Sequence, residues 1–379
     1  MKMTFSHVRV TGITAVVPEK CINIDDEVEF FNNDHALLER NKKILGLGTR
    51  HVIDERTTNA DLCEAAARRL LDALNMNPET IDLLIVASTS HDYIAPASAC
   101  LLQGRLGLKE DCTCFDLSGL ACSAYVHALV TAHSYIESGA SRRCLLLVGD
   151  LPSTHSDRRN RNSNQLFGDA GTATLLEYDP HGAPAWFLTG ARGALWDRLV
   201  IPAGGHALPI RKDIADIEIL DSVGNVWHLW EDIMKGIDVF KFTTEVGPRG
   251  IRDILSLSGK AMDEIDYFAF HQANKQIIRS VAGYADLPRD KFSWTAFSSY
   301  GNCGAAAIVT DICHNLAGKD RKAVVLSSFG VGLSWGFALL DMSSAHVEDV
   351  SFYASGESNM TREQRIRYWI DYYKGGGDA

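Results

Sequence analysis

Three short blocks carry side chains suited to acyl chemistry: Cys122 in LACSAYVHAL, His271 in FAFHQANKQII and Asn302 in SSYGNCGAAA. Each sits where a strand-like run hands over to a helix-like one. A thiol can hold an acyl chain as a thioester, while an imidazole and a carboxamide can donate to negative charge growing on a thioester oxygen. At a helix start, Cys122 is expected to feel the positive end of the dipole, which favours thiolate. Its own N–H is unused by the helix and can donate to an acyl carbonyl. Singly, each residue has a plainer reading. Cys122 could be a small core residue, His271 a core histidine held by backbone, and Asn302 a turn residue tolerant of positive φ. Their matched positions favour the chemical reading. Gln272 and Asn274 make a polar turn around His271, and Gly301 and Gly304 allow close approach at Asn302.

Two glycine turns frame this trio. Phe329-Gly330-Val331-Gly332 is expected to offer a second backbone N–H near Val331. Phe167-Gly168-Asp169-Ala170-Gly171 reads as structural, with Asp169 tying down its turn.

The positioning elements alternate. Strand-like runs at 82–88, 113–117, 144–148, 267–270 and 322–327 are separated by helix-like stretches at 60–74, 97–106, 122–136, 274–284 and 303–316. Short continuous apolar strands between helices predict an α/β class with sheets buried on both faces. The order strand, helix, strand, reactive turn, helix, strand, glycine turn, strand is expected twice, over 82–176 and 266–340. Cys122 and Asn302, 180 residues apart, take equivalent turns, so two facing halves would bring them together. The predicted division is 1–180 with Cys122, 181–341 with His271 and Asn302, an insertion at about 186–247, and an extension at 342–379. The insertion reads as a cap or a long connection. The extension is expected to be irregular over 343–360, then helical from an N-cap at Thr361 until Gly375, Gly376 and Gly377.

Composition narrows the class. With 37 basic and 48 acidic residues the net charge is −11, which argues against nucleic-acid binding. Arg142, Arg143, the 157–161 run and Arg252 read as solvated surface. Lys275, Arg279 and Arg249 are kept as a candidate patch for an acidic partner. Nine scattered cysteines in 379 residues do not suggest a disulfide framework. Cys112 and Cys114 have no second pair at zinc spacing, so no metal is expected. Neither a signal-peptide core nor a membrane-length apolar run is seen, so a cytoplasmic location is expected.

HQAN at His271–Asn274, YGN at Tyr300–Asn302, FGDAG at Phe167–Gly171 and the glycine- and tryptophan-bearing run Phe329–Gly336 together resemble the β-ketoacyl-acyl carrier protein synthase III family, within the thiolase-like superfamily. The likeness runs from about Val8 to Asp341. It implies a five-layered α-β-α-β-α fold of two pseudo-repeated halves, and a homodimer. It implies an acyl group loaded on Cys122, then decarboxylative condensation with a malonyl thioester on acyl carrier protein, with His271 and Asn302 on the enolate. Backbone N–H groups of Cys122 and Val331 would form the oxyanion hole, and Ala95 and Phe329 would belong to the acyl pocket and its gate. No cofactor is implied beyond acyl thioesters of acyl carrier protein or coenzyme A.

Three departures accompany the likeness. Gly48 stands where an arginine commonly touches coenzyme A, which favours a carrier-protein donor. Ala95 replaces an aromatic residue that reaches into the partner's pocket, which suggests a bulkier acyl group and a specialised pathway. The interval FDLSGLAC is one residue longer than usual, so the nucleophile's turn is expected to bulge. The alternative activity is acyl transfer from Cys122 to oxygen or nitrogen with His271 as general base. A hydroxymethylglutaryl-synthase-like reaction would need a general-base glutamate that the sequence does not place.

Overall fold

The computed structural model describes residues 1–161, 163–221, 224–356 and 359–376. The apolar runs form strands of two stacked sheets. In the first half these are β1 (Lys2–Phe5), β2 (Val8–Pro18), β3 (Leu83–Ala87), β4 (Thr113–Leu117), β5 (Arg143–Asp150) and β6 (Ala170–Tyr178). Then follow β7 (Ala185–Ala191), β8 (Tyr267–Phe270), β9 (Ala323–Gly330) and β10 (Ser334–Asp341). Two short strands, β11 (His346–Val347) and β12 (Ser351–Tyr353), close the strand list. The main helices are α1 (Asn59–Ala73), α2 (Ser98–Leu106), α3 (Ala124–Glu137), α4 (Gly236–Ser258), α5 (Lys275–Tyr284), α6 (Ala307–Leu316) and α7 (Arg362–Asp371).

One sheet runs β11-β2-β6-β5-β3-β4, with β12 also on β2; the other runs β1-β7-β10-β9-β8. β3 pairs in parallel with β4 and β5, and β8 in parallel with β9. α3 and α6 fill the space between the sheets, inside a core that includes Val126, Leu129, Ile308 and Val309. α1 and α2 cover the first sheet outside, around Leu62, Leu70 and Leu102. α4 and α5 cover the second, around Val246, Ile254 and Val281. These are the five α-β-α-β-α layers, and β3 and β5, covered on both faces, are buried except at Arg143, which is why they read as apolar runs.

Three expectations are corrected here. The second half has no strand before its reactive turn; Thr295–Tyr300 is a short helix, and Asn302 meets Phe167 in a single parallel bridge. The insertion is narrower than 186–247, because Trp186 lies in β7, paired with Leu339, and residues from Gly236 belong to α4. What remains forms two short ribbons, Leu199–Val200 with Ile233–Met234 and Ile219–Leu220 with Val226–Trp227. Third, the extension is not irregular over 343–360, since β11 and β12 add in parallel to β2. These strands have two or three residues, too few to show a period. Thr361 caps α7 as expected: its side chain accepts from Gln364 N–H and Gln364 returns the bond. Of the three terminal glycines, Gly377 lies outside the described residues.

Candidate active site

Cys122 lies in a single 3₁₀ turn, Ala121–Ser123, that leads into α3. The turn does bulge: Gly119 has φ +81° and Ala121 has φ +43°. A left-handed alanine is strained, of order 1–3 kcal/mol, and persists only where surroundings impose it. The end of β9 imposes it. A Cβ on Gly330 would come within 2.2 Å of the Leu120 carbonyl oxygen and 2.7 Å of Ser123 N, so only glycine lets the two backbones touch. Ser123 Oγ also meets Ser334 Oγ at 2.6 Å. Val331 therefore follows directly on the residue that abuts the Cys122 turn.

Asn302 is held by its backbone: its N–H donates to Leu166 O at 2.8 Å, and its C=O accepts from Gly168 N–H at 3.2 Å. Its Oδ1 accepts from Gly304 N–H at 3.1 Å. The carboxamide orientation is thereby set, with the NH₂ end left as donor. The Phe167–Gly171 turn has the expected structural part. Asp169 is fully buried and accepts from Ile53 N–H (2.8 Å), Ser153 N–H (3.1 Å) and Ser153 Oγ (2.5 Å). The Cys122 turn and the Gly304–Ala306 turn after Asn302 approach within 8 Å between Cα atoms.

His271 closes β8, beside β9, and its N–H donates to Ser327 O at 2.8 Å. It is buried, and its Nδ1 has no hydrogen-bond partner among the described residues. Burial pushes its pKa down to about 4, so the ring is neutral near pH 7. A neutral imidazole with an unclaimed nitrogen can donate or accept at a reacting oxygen.

Cys122 behaves differently from the helix-dipole expectation. Although the residue is partly exposed, desolvation at its sulfur, followed by the charge of Asp150, pushes the thiol up to about 12. A 3₁₀ turn with no side-chain cap gives the dipole little purchase, and two carboxylates, Asp150 and Asp232, act against the thiolate. The resting group is a thiol.

Asp150 was missed in the sequence, where it is only the polar end of an apolar strand. It is 2% exposed. One oxygen accepts from Thr89 N–H (2.7 Å), Thr89 Oγ1 (2.9 Å) and Ser88 Oγ (3.1 Å); the other accepts from Ala305 N–H (2.8 Å). It thus ties the turn after Asn302 to the ends of β3 and β5.

Against this geometry, family models described as 3-oxoacyl-[acyl-carrier-protein (ACP)] synthase III match residues 115–190, and its C-terminal part matches 255–342. A putative 3-oxoacyl-[acyl-carrier-protein] synthase 3 of Campylobacter jejuni is 36% identical over 354 residues, spanning 93% of this chain and 99% of that one. A β-ketoacyl-[acyl-carrier-protein] synthase III of Rhodopirellula baltica is 30% identical, over 88% and 97%. The chain belongs to the β-ketoacyl-acyl carrier protein synthase III family. A solved 3-oxoacyl-(acyl-carrier protein) synthase of Burkholderia xenovorans superposes with a TM-score of 0.85 at 31% identity, covering 93% of this chain and 99% of that one. The family is one of condensing enzymes with the thiolase-like fold.

The remaining candidates of this synthase are placed as follows. The Phe329 ring packs edge-on to Phe337 at 5.9 Å in the outer core, close to Gly247 of α4. Ala95 is exposed on the loop before α2 and lines a cleft of about 830 Å³ with Tyr93, Arg365 and Trp369, a lining that includes none of the trio. The residue projecting from that loop is Ile94, fully exposed. Lys275 and Arg279 lie on α5, and with Arg289 they crowd the Trp294 ring at 5.4, 5.9 and 4.0 Å. Arg249, on α4, is exposed and 3.9 Å from Glu245, whose close partner is Arg192 at 2.7 Å. Gly48 backs onto Ser298, whose carbonyl oxygen would be 2.2 Å from an added Cβ, so no arginine fits there; Arg50 nearby is buried in a pair with Glu27. Among the described residues no helix is long and apolar enough to cross a membrane.

The neutral state of His271 has a measurable consequence. Its folded pKa lies below the usual 6.5, so its contribution to stability is whole above pH 6.5 and fades as pH falls towards 4. In urea denaturation, His271→Asn should flatten the loss of stability between pH 7 and pH 4.5, removing most of about 3 kcal/mol. An unchanged slope would mean that the ring is not held neutral.

Proposed function

We propose that this chain loads an acyl group on Cys122 and condenses it, with loss of carbon dioxide, with a malonyl thioester carried by acyl carrier protein. The observation that carries the proposal is the shared support of three turns: β9 abuts the Cys122 turn, His271 ends the neighbouring strand, and Asp150 ties down the turn beside Asn302. In the first step Cys122 Sγ attacks the donor thioester carbonyl. Its proton leaves with the departing carrier thiolate, as a thiol near pKa 12 requires. In the second, the malonyl thioester loses carbon dioxide, and N–H donors of neutral His271 and Asn302 hold the enolate oxygen. The enolate carbon then attacks the acyl carbonyl, whose oxyanion is assigned to the N–H groups of Cys122 and Val331; as the oxyanion collapses the C–S bond breaks, and the Cys122 thiolate takes a proton from solvent to return to the thiol. These roles ask for no metal or redox cofactor. The half 1–180 supplies the Cys122 turn, the half 181–341 supplies the His271 and Asn302 turns, and β11 and β12 of the extension join the first sheet.

Malonyl carrier protein and acyl thioester should together give carbon dioxide and a β-ketoacyl product, with the acyl mass on Cys122 in the intact protein. Cys122→Ala should remove the adduct. Acyl transfer to an alcohol or amine, with malonyl carrier left intact, would replace condensation by the acyltransferase alternative.

The donor is assigned to acyl carrier protein in a specialised pathway, because the fold leaves no room for an arginine at Gly48. The acidic carrier is assigned to the Lys275, Arg279 and Arg289 cluster, with Arg249 a lesser member. Lys275→Glu with Arg279→Glu should raise KM for carrier-bound substrate by on the order of tenfold and leave short pantetheine thioesters unaffected. Equal effects on both would remove the patch from docking.

A homodimer is assigned to the β4 edge. Among the described residues β4 pairs only with β3, and its other side is open. Asp116 of β4 accepts from Ser98 and Ala99 N–H and so fixes the loop bearing Ile94 and Ala95 next to that edge. Such a loop is placed to reach a partner's acyl pocket. Sedimentation should show twice the 41.6 kDa chain mass, and a concentration-independent monomer would exclude the dimer.

A further inference from the structure

A second nucleophile lies outside the trio of Cys122, His271 and Asn302. Ser118 directly follows β4 and is exposed, and its Oγ meets His91 Nε2 at 2.7 Å. The other ring nitrogen, His91 Nδ1, lies 3.3 Å from Asp116 Oδ2 and 3.0 Å from Ser98 Oγ. Asp116 is itself fixed, since its two oxygens accept from Ser98 N–H (2.7 Å) and Ala99 N–H (2.8 Å) at the start of α2. A hydroxyl, an imidazole and a carboxylate thus stand in line. The ring reaches the hydroxyl through one nitrogen and the carboxylate through the other, the order by which a serine sheds its proton to become a nucleophile.

The protonation states agree with that order. Although burial acts against it, hydrogen bonds from His91 and from the Ala99 and Ser98 N–H groups hold the Asp116 carboxyl below the usual carboxylate range, so it is ionised near neutrality. Its hydrogen bond with His91 is the main cause of a raised imidazole pKa, which burial partly offsets. A carboxylate beside Nδ1 favours the tautomer with the proton there and leaves Nε2 to accept from the Ser118 hydroxyl. The backbone suits the step as well. Ser118 ends a strand and precedes the turn into α3, and Gly119 after it has φ +81°. Among the described residues Gly119 N–H donates to no backbone carbonyl, and no atom beyond its chain neighbours lies within 4 Å of a Cβ placed on Gly119. That N–H is available to the oxygen of an acyl group at Ser118, as the N–H after the nucleophile is at other strand-to-helix turns.

We propose that Ser118 and His91, with Asp116 as the residue that positions the ring, form a second catalytic centre that hydrolyses acyl thioesters. Ser118 Oγ attacks the thioester carbonyl, and its proton passes to His91 Nε2. The C–S bond breaks, the departing thiol takes that proton, and an acyl ester remains on Ser118. Water then attacks the ester carbonyl and gives a proton to the same nitrogen. The ester C–O bond breaks, the proton returns to Ser118, and a carboxylic acid leaves. Water is the only co-reactant. The acyl donor is a thioester in either of two places: on pantetheine, or on Cys122, which lies four residues along the chain and so within about 14 Å. The activity does not rest on Cys122 being acylated. It releases acyl groups that condensation does not consume.

The test treats the full-length protein with a fluorophosphonate, which labels serine hydroxyls activated by a base, and locates the added mass by peptide mass spectrometry. Ser118 should carry the label. Given butanoyl-pantetheine without malonyl carrier, the wild type should release butanoic acid and free thiol. Ser118→Ala should lower that release by at least about a hundredfold, and His91→Gln should lower both labelling and release by a similar factor. Circular dichroism checks that both variants are folded; Asp116 is left intact because it also holds the start of α2. In Cys122→Ala, release that persists places the donor on pantetheine, and release that disappears while Ser118 still takes the label places it on Cys122. An unlabelled Ser118, no butanoic acid from the wild type, or release that a folded Ser118→Ala leaves unchanged would overturn the proposal. His91 would then be only a tie between its loop and the end of β4.

Discussion

The site depends on one buried carboxylate. Asp150 ends β5 inside the junction of the two halves, and it is stable there because four donors surround its two oxygens. Three come from the end of β3, in the first half, and one from the turn after Asn302, in the second. A buried charge without such partners would cost several kcal/mol, so the halves are held in one relative position. The close contact of Gly330 with the Cys122 turn adds a steric constraint at the same junction. Gly330 thus lies against the turn in which Ala121 holds its strained φ.

The same carboxylate shapes the chemistry. Asp150 disfavours a thiolate at Cys122, and burial disfavours it more. Burial also keeps His271 uncharged. The resting site is thus poor in mobile charge and rich in neutral donors. In the proposed reaction a developing anion would meet neutral N–H donors, the condition under which such donors are most effective. A permanent thiolate–imidazolium pair would instead tie up both groups before substrate arrived.

Around this shared core, the individual features are peripheral. The insertion is fastened through Glu231, Asn225 and Glu218, and its Asp232 disfavours a thiolate at Cys122. The extension adds β11 and β12 to β2 and sets the aromatic face of α7 against Tyr93, with Trp369 edge-on at 5.8 Å. Neither segment supplies a hydrogen bond to Asp150 or Asn302 among the described residues.

The α/β class, the turns that carry Cys122, His271 and Asn302, and the Asp169 turn were legible in the sequence because each rests on local signals: strand-to-helix handovers, glycines at a turn, and apolar runs buried on both faces. The Thr361 cap was legible for the same reason. The missing second-half strand, the true limits of the insertion and the pairing of β11 and β12 were not, because short elements are decided by neighbours distant along the chain. The protonation of Cys122 was misjudged because the helix dipole is local, whereas desolvation and the charges of Asp150 and Asp232 are not. Asp150 and Asp232 carry no motif, and both acquire their meaning only when folding buries them beside groups tens to hundreds of residues away. Local covalent pattern determined which reactive groups the chain possesses; tertiary packing decided their charge, their supports and what faces them, because electrostatics and burial depend on proximity in space.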